Sequence, residues 1–166
     1  MPGAKYHADG FQLLTNPADT AASLTVNAST AHRLWVFEIN MGNIGTPADL
    51  TSVYLIGQVT APGSAGTTVT ATQMEDAADV VSRSVFISNV TTTEPTYVNT
   101  STTQGLAVPA DGDMLRVPLN HRATYRWVAP PGGEFVAPAT TTDGFGGKAD
   151  HASATTEYMI GMSWIE

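Results

Sequence analysis

The stretch Lys148-Ala149-Asp150-His151-Ala152-Ser153 sets an acid, a base and a hydroxyl close together. Hydrolysis by a serine nucleophile needs those groups to converge in space beside an oxyanion hole. Neighbours along an extended chain point in alternating directions, so the run reads as a polar loop. The four histidines, His7, His32, His121 and His151, include no pair at the spacing of a metal motif. Asp111-Gly112-Asp113 could supply two oxygens to calcium, which takes about six to eight, and few further acids stand nearby. A turn that starts a strand accounts better for those residues. No glycine cradle is followed by Lys-Ser or Lys-Thr, and Gly42 to Gly45 and Gly144 to Gly147 read as loop glycines. The chain has no cysteine, which excludes a thiolate zinc site and a disulfide framework. The expectation is a protein that is not an enzyme, with no catalytic residue, cofactor or metal.

Charge narrows the partners. The net charge is −8, and the seven basic residues are scattered apart from Arg116, His121, Arg122 and Arg126. Neutralising phosphates takes Lys and Arg, so nucleic acid is not an expected partner, and an anionic membrane surface is disfavoured in the same way. No apolar run approaches the roughly 20 residues of a membrane helix. The N-terminus, from Met1 to Gly10, has no apolar core of a secretory leader. Asn27-Ala28-Ser29, Asn89-Val90-Thr91 and Asn99-Thr100-Ser101 match the glycosylation acceptor pattern, and without a leader they read as incidental. Synthesis in a reducing cytoplasm fits both the leaderless start and the missing cysteines.

Any site must be positioned by strands. Charged residues are only 13% of the chain, and Thr, Ser and Asn supply much of the polarity. Thr is β-branched and favours pleated or extended backbone. Fifteen Gly and ten Pro punctuate short apolar or alternating runs along the whole length, which leaves no room for a long helix. Strands are expected at Gly10–Leu14, Ser23–Asn27, Arg33–Met41, Thr51–Thr60, Thr67–Thr72, Val85–Ser88, Met114–Leu119, Ala123–Val128, Glu134–Ala137 and Glu157–Ile165. In the clearest of these, Arg33, Trp35, Phe37, Ile39 and Met41 share one face, and Leu34, Val36, Glu38 and Asn40 the other. Pro118 assigns its strand to an edge or a bulge. Met74–Val81 is the one candidate for a short helix. Asn89–Gln104 is Thr-rich and reads as a long loop, with room for a short strand at Tyr97-Val98. Thr140–Ala154 reads as a Gly-rich loop.

The pattern predicts an all-β, jelly-roll-like antiparallel sandwich or barrel of about 8–10 strands. Residues 1–166 are expected to form one β domain, with 1–14 as a candidate extended N-terminal arm. Trp35, Tyr125, Trp127, Tyr158 and Trp164 fall in strands and read as core.

Several segments in order carry a resemblance. They are Gly45-Thr46-Pro47-Ala48-Asp49 with Val53-Tyr54-Leu55; Gly63-Ser64-Ala65-Gly66-Thr67-Thr68-Val69-Thr70; Thr93-Glu94-Pro95-Thr96-Tyr97; and Leu119-Asn120-His121-Arg122-Ala123-Thr124-Tyr125-Arg126-Trp127-Val128 followed by Ala129-Pro130-Pro131-Gly132-Gly133-Glu134. From about Ala31 to Glu166 the chain resembles small cement, or decoration, proteins encoded beside the major capsid gene of tailed phages. The resemblance implies a jelly-roll-like fold and a structural virion protein on the capsid exterior. It implies the major capsid protein and the chain itself, as homodimer or homotrimer, as partners. Candidate contact residues are Lys5, Tyr6, Phe11 and Leu13 of the arm, Arg122 and Arg126 of the basic stretch, and Phe145 and Lys148 of the Gly-rich loop. The alternative is a glycan-binding or adhesion β-sandwich module of a virion or secreted protein. A cupin-like enzyme, third, lacks the His-x-His spacing its metal would need.

Overall fold

The computed structural model describes residues 4–14, 24–45, 49–59, 67–68, 71–74, 85–88, 113–150 and 156–166. These form an all-β structure of antiparallel strands in two six-stranded sheets. The strands are β1 (Lys5–Leu14), β2 (Leu24–Asn27), β3 (Leu34–Asn43), β4 (Thr51–Val59), β5 (Thr67–Thr68), β6 (Thr72–Gln73), β7 (Val85–Ser88), β8 (Asp113–Asn120), β9 (Thr124–Val128), β10 (Phe135–Ala137), β11 (Gly144–Asp150) and β12 (Thr156–Ile165). No helix occurs among the described residues; of the Met74–Val81 candidate, all but Met74 lies outside them, as does Asn89–Gln104.

Sheet one runs β10–β3–β12–β1–β6, with β9 also paired to β3 on the side that β10 occupies. Sheet two runs β5–β7–β2–β11–β4–β8. The first four strands alternate between the sheets. β8 ends sheet two, which is where Pro118 belongs, since proline gives no N–H to a ladder.

The inner faces of both sheets share one apolar cluster. From β12 come Tyr158, Ile160, Met162 and Trp164, each nearly or fully buried. Aromatic contacts join the layers: Tyr54 of β4 meets Tyr158 edge-on at 6.1 Å, and Phe135 of β10 meets Phe145 of β11 at 5.9 Å. Burial pushes the Tyr54 phenol up to about 12, because the phenolate would lose its water.

Four expectations change. Residues 5–14 are not an arm: β1 pairs with β12 along its whole length, from Lys5 opposite Ile165 to Leu14 opposite Thr156. Tyr6 stacks on Trp164 at 6.0 Å and both are core, so pulling β1 away would open the apolar cluster. Residues 144–150 are not a loop either. They form β11, a central strand between β2 and β4. Its glycines are there for space. A Cβ on Gly144 would strike the carbonyl of Val26 and come within 2.6 Å of Asn27 Cα, and one on Gly147 would press on Ile160 and Ile56 at 2.9 to 3.0 Å.

The third change concerns β3. Between Val36 and Glu38 it advances two residues while β12 advances only from Trp164 to Ser163. Phe37 is the extra residue of a β-bulge, and its carbonyl accepts the Ala129 N–H at 2.8 Å. The bulge reverses the alternation midway. Leu34, Val36, Ile39 and Met41 therefore all face inward, while Trp35 lies outside with Glu38 and Asn40. The expected Thr67–Thr72 strand also divides, into β5 in sheet two and β6 in sheet one.

Between β9 and β10 the chain projects in a tight turn. Gly133 N–H donates to the Pro130 carbonyl at 2.8 Å, with Pro131 and Gly132 at the corners. Gly132 has φ of 78°, the left-handed value that a type II turn requires at that corner. Replacing Gly144 with Ala is expected to lower stability by about 1–3 kcal/mol, as overpacking does. Urea unfolding would show it as a lower midpoint at unchanged slope; an unshifted midpoint would refute the close approach of β11 to β2.

Candidate functional site

The outer face of sheet one carries a hydrogen-bonded group of polar side chains, and the registers give its layout. One row crosses the sheet as Lys5, Ile165, Trp35 and Val136. The next, beyond the bulge, is His7, Ser163, Glu38 and Val128. The third is Asp9, Gly161, Asn40 and Arg126. Residues two apart on a strand share a face, so each strand delivers alternate side chains to this surface.

Two hydrogen-bonded groups occupy it. On β1, the Asp9 carboxylate accepts from His7 Nε2 at 3.1 Å, and the Ser163 hydroxyl lies 2.8 Å from Nδ1. A carboxylate can only accept, so in the neutral ring the proton sits on Nε2 and Ser163 donates to Nδ1. On β3 and β9, Arg126 donates to both oxygens of Glu38, at 2.8 and 2.9 Å. The Asn40 amide adds a bond to Glu38 Oε1 at 3.2 Å. Small residues of β12 leave room between the groups: a Cβ at Gly161 would strike the Asp9 carboxylate.

The electrostatics follow from these bonds. The hydrogen bond to Asp9 raises the pKa of His7, against the opposing effect of burial, and the charges of Asp9 and Glu38 add to the rise. The same bond from His7 lowers that of Asp9. Arg126, first, and then Asn40 hold the Glu38 carboxyl below its ordinary value, again against burial.

A serine, a histidine and an aspartate in contact invite a hydrolytic assignment, but the geometry argues against it. Ser163 is 2% exposed. Its hydroxyl sits on a pleated sheet between flanking side chains, where a substrate carbonyl has no approach. The group staples β1 to β12 and orients the face.

The eight residues proposed for contact do not gather. Lys5 and Arg126 lie on the outer face of sheet one. Arg122 is exposed in the β8–β9 turn, where its N–H donates to Asn120 Oδ1 at 2.9 Å. Lys148 is half-buried in β11 of sheet two, opposite Leu55. Tyr6 and Phe145 are corrections: both are core residues, so no partner can reach them. Phe11 and Leu13 pair through their backbones with Met159 and Glu157, and their side chains lie outside the described residues. Lys148 and Ala149 of the Lys148–Ser153 run, with Asp150, end β11, and His151 to Ser153 lie outside the described residues. Asn27 is buried and its amide donates to the Thr142 carbonyl at 2.9 Å, which removes it as a glycan acceptor.

Asp9 and Ser163 were not singled out in the sequence; His7 was weighed only as a metal ligand, and Trp35 was read as core, which its 39% exposure on the outer face corrects. The alternation of β1 held a signal, since Lys5, His7 and Asp9 are polar at period two. Ser163 and Glu38 could not be linked to them without the β1–β12–β3 order.

A cleft of about 210 Å³ lies elsewhere, lined by Gln58, Val59, Ala137, Pro138, Asp143 and Gly144. It is smaller than the roughly 300 Å³ at which ligand sites begin. Its one acid, Asp143, already accepts from the Thr140 hydroxyl at 2.8 Å. No group of three or more metal-ligating side chains occurs among the described residues. No protein-family model, curated protein or solved structure matches the chain.

The His7–Asp9 couple makes a pH prediction. A raised His7 pKa contributes stability fully below the ordinary histidine value of about 6.5 and loses it as pH rises through the folded value. A lowered Asp9 pKa contributes above the ordinary value of about 3.9 and loses it as pH falls through the folded value. The couple therefore contributes most between those limits. His7→Gln is expected to cost up to about 1 kcal/mol near pH 5, the scale of a half-exposed pair, and less above neutrality. Thermal unfolding of both proteins across pH checks it; a difference that does not vary with pH would show that His7 acts by packing alone.

Proposed function

We propose that this chain is a structural virion protein, a cement or decoration protein that binds the outside of a tailed-phage capsid and stabilises the shell across capsomer boundaries. The observation that carries the reading is the ordered set of segments resembling such proteins. The longest, Leu119 to Glu134, runs through the β8–β9 turn, along β9 and into the Pro130–Gly133 projection. Arg122, Val128, Pro130 and Pro131 are exposed there. A partner approaching that edge of sheet one meets this run first.

The strand order supports the jelly-roll part of the proposal. Taking β1, β12, β3 and β9 as one four-stranded unit and β2, β11, β4 and β8 as the other gives two sheets related as in a double Greek key. β5, β6 and β7 then come from one long insertion between β4 and β8. The charge of −8 suits basic patches on a shell. A protein that binds only the assembled shell stabilises it by mass action, by about 2.7 kcal/mol per site at a free concentration a hundredfold above Kd.

A second reading, a glycan-binding or adhesion module, is favoured by one feature. Trp35 is exposed on a sheet face that also carries Glu38, Asn40 and Arg126. A sugar ring can stack on such an indole while its hydroxyls bond to the polar groups.

Co-sedimentation with expanded phage shells that lack the protein tests the first reading. Saturable binding with a rise in the shell's melting temperature is the expected result. Absence of binding to the cognate shell at every salt concentration would overturn it, and saturable sugar binding lost in Trp35→Ala would favour the second.

A further inference from the structure

We infer that the outer face of sheet one is a self-association face, on which a second copy of this chain packs sheet to sheet about a two-fold axis. The inference goes beyond the capsid reading and does not rest on it.

The apolar content of the face is concentrated. Trp35 is 39% exposed and Val128 50%, and both are among the few large apolar side chains left open in the described residues. They stand in adjacent rows on adjacent strands, β3 and β9. Ile165 and Val136 flank Trp35 in its own row, each half-buried and facing out. The Phe37 bulge makes this possible, because without it Trp35 and Glu38 would face opposite sides of the sheet. Exposed Trp and Arg beside one another are what contact hot spots are built from.

Charge selects the occupant. The chain as a whole carries −8, so two copies repel over most of their surfaces. Within these three rows Lys5 and Arg126 stand against Asp9 and Glu38, two cations with two anions, which cancel while His7 is neutral, and Glu157 lies two rows further along β12. Repulsion between copies is therefore smaller where these rows meet than the charge of the whole chain implies. A basic partner would gain nothing here and would be drawn to acidic surface elsewhere. Glu38 enters such a contact already paired with Arg126 and Asn40, so no unpaired charge is buried.

Geometry suits a copy as well. The face is four strands wide, about 19 Å at roughly 4.8 Å per strand. Gly42, Gly161 and Ser163 keep it low beside the apolar row. A two-fold axis near Trp35 sets the indole of each copy against the apolar row of the other, as an isologous contact requires. A face this size fits a reversible dimer rather than an obligate one.

Sedimentation velocity of the full chain, from low-micromolar to submillimolar concentration, tests the inference. The wild type is expected to pass from monomer to dimer. Trp35→Ser should weaken the association by at least ~10-fold, as loss of one buried anchor does. Val128→Glu, which sets added acids against each other across the axis, should weaken it as much. Both side chains are exposed, so melting curves should show folded variants; if Trp35→Ser fails to fold, Val128→Glu carries the test. A monomer at every concentration, a trimer, or a dimer indifferent to both changes overturns the inference. A monomer that still binds shells would overturn it and leave the capsid reading standing, while a dimer that binds no shell would do the reverse.

Discussion

The pairing of β12 between β1 and β3 is the constraint on which the rest of the structure depends. Ten residues of β12 hold the first and third strands in register. Their inner side chains, Tyr158, Ile160, Met162 and Trp164, form the floor of the core. Without disulfides, and with no metal cluster among the described residues, that apolar burial is the main force holding the two sheets together. It also closes the chain end to end, so sheet one cannot form until the C-terminal segment arrives. Such pairing has high sequence separation, and folding should be slow for a domain of this size.

The close approach of the sheets explains the glycines. Gly144 and Gly147 lie where β11 meets β2 and where it faces Ile160 across the core. The same residue type that marks loops elsewhere in the chain is here a strand residue chosen for its missing Cβ. The outer face of sheet one shows the converse use, since Gly161 makes room for the Asp9 carboxylate and lets a polar group lie flat on the sheet. The interior and the polar face thus both depend on small residues in long strands.

The proposed role and the proposed self-contact draw on different parts of the molecule. The proposed capsid role draws chiefly on the run from Leu119 to Glu134, which passes through the turn, edge and projection between β8 and β10. The self-contact uses the broad face beside that edge. Both meet at β9, whose exposed Thr124, Arg126 and Val128 alternate with half-buried Tyr125 and Trp127. One strand can serve an edge partner through its free side and a face partner through its outward side chains, because the two directions are perpendicular.

Composition and local pattern alone determined that the chain is all-β, where most strands lie, that Pro118 sits at an edge, and that Tyr125 and Trp127 face inward. These follow from period-two alternation and turn chemistry, which act between near neighbours. The tertiary structure decided what depends on distant residues. A glycine run became the central strand β11 because its neighbours leave no space for a Cβ. Residues 5–14 became a central strand because Tyr6 finds Trp164. The bulge at Phe37 turned Trp35 outward and Ile39 inward, and only the register against β12 and the Ala129 N–H records it. The group of His7, Asp9, Ser163, Glu38 and Arg126 comes from four strands and both ends of the chain. Such a group exists only after the sheet is assembled, since strand order is set by which apolar faces bury together and no local rule encodes it.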